Sequence, residues 1–241
     1  MKVFKFVGYS FNRMHKAFNP NKISRSKQIV SIYCYKMRII AGSKRGMKLL
    51  SPKTGESRPI TDRVKESLFS VLYKYDLPNG KMVADLFCGV GSLGLEALSR
   101  GAEFVTFVEK NLKIITILEK NVEKAGFAKE SKVVRADAFK IGATVDPLRR
   151  IAASEQKYDL IFVDPPYSTT RETKEGSPLG GLLVILQEQL APNGIAVVRT
   201  NRRTELLSTG HLTVEQYGRL QIIERRQWGT MAVTILQQKS R

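Results

Sequence analysis

One stretch of ten residues constrains this chain more than any other. Asp85-Leu86-Phe87-Cys88-Gly89-Val90-Gly91-Ser92-Leu93-Gly94 closes an apolar, strand-like run and opens a helical one. Its glycines stand at the GxGxxG spacing, which lets a backbone turn tightly and approach a ligand closely, and such a turn belongs inside a strand–turn–helix unit. The flanking sequence repeats that unit: strand-like 82–87 precedes helical 92–100, 104–108 precedes 111–125, 132–135 follows, 158–163 precedes 179–190, and 195–199 closes the series. This alternation predicts an α/β fold with a mostly parallel sheet covered by helices on both faces. Two last strand-like runs, 220–224 and 232–236, lack a helix between them and predict an antiparallel C-terminal edge, giving seven strands.

Ahead of the sheet, 38–40 and 46–50 around Gly42-Ser43-Lys44 read as a small β-hairpin. Residues 51–60 read as loop. Thr61 or Asp62 can then cap a helix whose Val64, Leu68, Val71, Leu72 and Tyr75 form one apolar face, stopped by Pro78-Asn79-Gly80. The chain divides into a basic, unordered extension, 1–36, and one domain, 37–241, whose first part, 37–78, is this hairpin and helix.

The second strand ends in Glu109, twenty residues beyond Gly89, where a carboxylate can accept two hydrogen bonds from a ribose diol. An adenosine-bearing cofactor follows, but the spacing alone fits both a nicotinamide dinucleotide and S-adenosylmethionine. Asp85 favours the second. A carboxylate there repels a pyrophosphate and attracts the ammonium of a sulfonium cofactor. Asp137, with the backbone of Ala138, stands after the third strand, where it can meet an adenine edge or simply cap a helix.

The fourth strand delivers Asp164-Pro165-Pro166-Tyr167 to the carboxyl edge of the sheet, where open α/β folds bind ligands. Two prolines fix φ and remove two donors, leaving a stiff row of acceptors beside an aromatic ring. Such a row suits a planar NH₂ group: Asp164 and the Pro165 carbonyl each accept one proton while Tyr167 stacks on the base. Charge developing on the nitrogen during alkylation is stabilised by the same acceptors.

Composition supplies a partner. The chain of 241 residues carries 40 Lys+Arg against 22 Asp+Glu, a net charge of +18, which favours a polyanion such as nucleic acid. Residues 1–36 hold eight basic side chains and no acidic one; an upstream translation start, an organellar address and an RNA-binding arm all fit them. No run approaches the roughly 18 apolar residues of a membrane span, and two cysteines make no disulfide framework, so a soluble chain of the cytoplasm is expected. Cys88 reads as a packed residue, and His15 and His211 stand apart, so no metal site is expected. Trp228, beside Arg225 and Arg226, suits the core or a base stack.

Taken together, these motifs resemble the RsmD-type small-subunit rRNA guanine-N2 methyltransferases, in the Rossmann-like class I methyltransferase superfamily. The likeness runs over about residues 37–200, through Met37-Arg38-Ile39-Ile40-Ala41-Gly42 with Arg45-Gly46, the block 58–66, the turn from Asp85 into Gly101-Ala102, and Asp164 to Tyr167. It implies methyl transfer from S-adenosylmethionine to the exocyclic N2 of a guanine in 16S-type RNA, free or in an assembling 30S particle, by a monomer without metal. By position, Asp85, Phe87, Gly89, Gly91 and Glu109 would hold the methionine and ribose, and Asp137 with Ala138 the adenine. Asp164, Pro165, Pro166 and Tyr167 would hold the guanine, and Arg38, Arg45, Arg58 and Arg63 would meet cofactor or RNA. Other basic residues expected at the mouth are Lys44, Lys48, Arg202 and Arg203. The sequence departs from the pattern after the fifth strand, where an acidic residue is frequent and this chain reads Val198-Arg199-Thr200-Asn201.

Competing readings are methylation of an adenine N6 or of a protein glutamine amide by the same acceptor row, a nicotinamide-dependent dehydrogenase, and a noncatalytic RNA-binding assembly factor.

Overall fold

The computed structural model describes residues 37–52, 60–143, 157–171, 173, 176–204 and 219–239. The expectations for residues 1–36 and for Arg58 lie outside them. The strands are β1 (Met82–Leu86), β2 (Phe104–Glu109), β3 (Ser131–Arg135), β4 (Tyr158–Val163), β5 (Leu190–Asn201), β6 (Leu220–Trp228) and β7 (Met231–Gln238). The helices are α1 (Asp62–Leu72), α2 (Ser92–Ser99), α3 (Leu112–Ala125), α4 (Ala138–Ile141) and α5 (Pro178–Gln189). All seven strands join one sheet in the order β3-β2-β1-β4-β5-β7-β6, with β1 to β5 parallel and β7 antiparallel to both β5 and β6. The predicted architecture is therefore present, and the strand order reverses between β1 and β4, where such sheets open a crevice.

The apolar run of β4 is continuous because both of its faces are covered. Leu160 and Phe162 pack with α1, α2 and α3 on one side; Ile161 and Val163 pack with α4 and α5 on the other. This is the period of two of a pleated strand, and each such fully buried side chain contributes about 1.5–3 kcal/mol. Leu86 pairs with Val163, so Phe87 and Asp164 leave the sheet side by side.

Three local expectations change. The hairpin is reduced to one bridge, Arg38 with Lys48, backed by Ile39 N–H to Met47 O and Leu49 N–H to Met37 O. Four of its amides bond to α2 instead: those of Ile40 and Ala41 donate to Glu96, and those of Ser43 and Lys44 to Ser99. Gly42 makes this possible, since a Cβ there would stand 1.7 Å from the Ser99 carbonyl oxygen. Helix α1, capped by Thr61, ends at Leu72, and Tyr75 belongs to a tighter 3₁₀ turn, Tyr73–Tyr75. Strand β5 starts at Leu190 and absorbs Pro192-Asn193-Gly194 through a register shift opposite β4. No helix among the described residues is long and apolar enough to cross a membrane.

Candidate active site

A cavity of about 680 Å³ opens at the carboxyl edge of β1, β2, β4 and β5. One wall is the glycine turn. Asp85 is buried at the end of β1, and its Oδ2 accepts the Gly94 N–H at 2.8 Å, tying the start of α2 to the strand. Gly94 lets α2 lie against β2, for a Cβ there would come within 2.3 Å of the Phe107 ring. Gly89, at φ +55°, is the opposite case: a Cβ would meet nothing within 4 Å, so its backbone faces open space. Glu109 Oε2 accepts the Gly89 N–H at 3.2 Å, while Oε1 accepts the amides of Lys110 and Asn111.

The opposite wall is Asp164 to Tyr167. Pro166 O accepts both the backbone N–H and the hydroxyl of Thr169, which closes the turn. Pro165, next to Asp164, also lines the cavity. Asp164 Oδ1 accepts from Arg199 Nε of β5 at 2.5 Å.

Electrostatics follow from burial. Asp85 is pushed up to about 7, first by desolvation; the Gly94 amide opposes this, Asp164 and Glu109 add to it, and Arg199 opposes it. Desolvation likewise raises Asp164, against the pull of Arg199. Three carboxylates around one cavity make it hospitable to a cationic ligand and hostile to a pyrophosphate. The donor set therefore fits a sulfonium cofactor carrying an ammonium and a ribose better than a dinucleotide.

The structure brings together Asp85, Phe87, Gly89, Glu109, Ala138, Asp164, Pro165, Pro166 and Tyr167 on this cavity. Gly91 stands behind it as the N-cap of α2, and Asp137 Oδ1 caps α4 by accepting from Phe139 N–H, so Ala136 and Ala138 line the wall on either side of it. The basic residues divide. Arg38 is exposed and paired with Asp62 at 2.7 Å, next to Met37 of the cavity wall, and Arg63 is exposed in the first turn of α1, three residues after the lining Ile60. Arg45 and Lys44 do not border the mouth. They occupy the tip that docks on Ser99, at the far end of α2, because the tip's amides bond there. Lys48 is exposed opposite Arg38. Arg202 and Arg203 follow β5 at the cavity edge, where Arg202 N–H donates to Thr230 O. Trp228 packs against the larger apolar cluster.

Sequence reasoning missed Arg199, Lys110 and Asn111, which also line the cavity. For Arg199 the signal was the departure after the fifth strand, whose partner only the sheet order reveals. No group of three or more His, Cys, Asp and Glu among the described residues is placed to hold a metal ion.

Known proteins share this fold. The family described as conserved hypothetical protein 95 matches residues 37–237. A Bacillus subtilis protein named "Putative rRNA methyltransferase YlbH" is 37% identical over 188 residues, covering 76% of this chain and 94% of its own length. Ribosomal RNA small subunit methyltransferase D of Haemophilus influenzae is 33% identical over 178 residues, covering 74% and 86%. Among solved structures, "Putative methyltransferase yhhF" from Escherichia coli superposes with a TM-score of 0.66 at 26% identity, covering 85% of this chain and 99% of that one.

Proposed function

This chain belongs to the conserved hypothetical protein 95 family, the RsmD-type methyltransferases, and from that premise we infer that it methylates small-subunit ribosomal RNA, at the exocyclic N2 of a guanine, with S-adenosylmethionine as donor. The observation that carries the reading is the pairing of two walls across one cavity. A carboxylate-lined glycine turn faces a rigid acceptor row, and nothing else in the described chain unites those two features.

The bound cofactor supplies an electrophilic methyl group that needs no further activation. Asp85 meets its ammonium, Glu109 its ribose, and the α4 terminus at Ala138 its adenine. Phe87, held against Phe139 at 4.7 Å between ring centroids, forms a fixed side of that pocket. Asp164 and the Pro165 carbonyl accept the two N–H groups of the substrate amine. This opposes delocalisation of the nitrogen lone pair into the base and stabilises the positive charge that builds on nitrogen. Tyr167 stacks on the base plane, and the stiffness of the proline pair keeps the nitrogen aligned, an entropic advantage paid before reaction.

The test supplies labelled S-adenosylmethionine and small ribosomal subunits lacking the modification, then identifies the methylated nucleoside by mass spectrometry. N2-methylguanosine is expected. N6-methyladenosine would assign the acceptor row to adenine, and labelled protein would assign it to a glutamine amide.

A further inference from the structure

Two charged groups on the cavity wall, Lys110 and Arg199, are not used by the chemistry above, and of these Arg199 is the one that touches a reacting group. Arg199 emerges from β5 next to the strand that delivers Asp164, since Val163 pairs with Val198. Its side chain is 13% exposed and that of Asp164 20%, so the pair is largely withdrawn from water. The guanidinium is held on a second side, where Nη1 approaches Met231 Sδ of β7 at 3.8 Å. An arginine fixed between two strands, with its Nε on one oxygen of a carboxylate, sets the plane and rotamer of that carboxylate.

We propose that Arg199 is the positioning residue for Asp164: by occupying Oδ1 it turns Oδ2 toward the substrate amine and keeps the group a pure acceptor. The proposal rests on the amine-methylation reading of this cavity and adds to it the residue that makes the acceptor serviceable.

The physical need is specific. A protonated Asp164 would carry an O–H where the substrate presents N–H, so two donors would face each other and the amine would lose its alignment. Burial presses in that direction. The acidic groups that line the same cavity are Asp85 on β1 and Glu109 on β2. Tyr167 on the same turn brings no positive charge. Lys110 follows β2 on the cavity wall, and Arg199 on β5 is the cation in contact with Asp164. Arg199 thus offsets, by charge and by hydrogen bond, the burial that pushes the Asp164 carboxyl up.

The test compares wild type with Arg199→Gln and Arg199→Lys in single-turnover methylation of small subunits lacking the modification. Cofactor is saturating and pH is varied, so the profile reports groups in the ternary complex. For Arg199→Gln the rate falls about tenfold or more at neutral pH, and the acidic limb moves upward by about half a unit or more. Arg199→Lys keeps a charge without the fork and lies between the two. Cofactor affinity, measured at pH 9 where Asp85 is ionised in every variant, stays within about twofold. If Arg199→Gln fails to fold by thermal melting, the position of the Arg199→Lys limb decides. An acidic limb unmoved in every folded variant, or a loss confined to cofactor affinity, overturns the proposal while leaving the methylation reading intact. Wild type that labels no RNA overturns both.

Discussion

Lys65 Nζ and Glu96 Oε2 stand 3.1 Å apart with their side chains 1% and 0% exposed, an ion pair sealed between α1 and α2. The pair is fully employed. Lys65 also donates to the Arg38 carbonyl at 2.6 Å, while Glu96 accepts the amides of Ile40 and Ala41 and the Nε of Arg100. Burial lowers the lysine and Glu96 opposes that. Glu96→Ala strands a buried ammonium and two amides together, so a loss of about 3–5 kcal/mol is expected, read from the urea midpoint. A change below about 1 kcal/mol would show that water replaces the carboxylate without cost.

Under the proposed function, Asp85 links stability to cofactor binding through pH. Its folded value of about 7 lies above the ordinary carboxylate value near 4, so the folded chain holds that proton more tightly than the unfolded one. The stability this contributes is complete below about pH 4 and disappears as pH rises through about 7. Asp85→Asn, which can still accept from Gly94, is therefore expected to gain stability over wild type progressively across that window. Its affinity for S-adenosylmethionine should be weaker and flat, whereas that of wild type climbs to a plateau above about pH 7. Melting curves that stay parallel across the window would disprove the linkage.

Asp164→Ala should retain the cofactor and lose turnover by about 10²-fold or more, as for removal of one preorganised electrostatic group. Because Asp164 helps hold Asp85 up, cofactor binding near neutral pH should tighten slightly in this variant. Equilibrium binding beside single-turnover rates checks both; near-normal turnover would take Asp164 out of the chemistry.

RNA affinity should depend steeply on salt. If Arg38, Lys110, Arg202 and Arg203 each reach a phosphate, binding weakens about 10²-fold between 50 and 200 mM salt. Arg203→Ala should flatten that slope, and Arg45→Ala, at the remote tip, should leave it alone. Filter binding over a salt series decides, and equal effects of the two changes would contradict the placement of the interface.

Much of this was readable in advance because it depends on neighbours in sequence. The apolar run of β4, the Asp85–Gly94 turn and Asp164 to Tyr167 each carry their own local signature, and the order of strands and helices follows from alternation. What escaped notice depends on contacts across the fold. Lys65 stands on the apolar face of α1 with Leu68, Phe69 and Leu72, and the partner that lets a lysine be buried there is known only once Glu96 of α2 is placed beneath it. The hairpin's charged tip looked like part of the mouth, yet its amides bond to the last turn of α2. Arg199 acquires its partner only once β5 lies beside β4.

The segment from Met37 to Pro52 touches the cavity at both of its ends, while its middle is fastened to Ser99. Helix α2, eight residues and so about 12 Å long, sets the distance between those two places. The segment is therefore a strap cut to measure around a strut. One residue inserted or deleted along it has no slack to disappear into, and the error would surface as a displaced wall of the cavity.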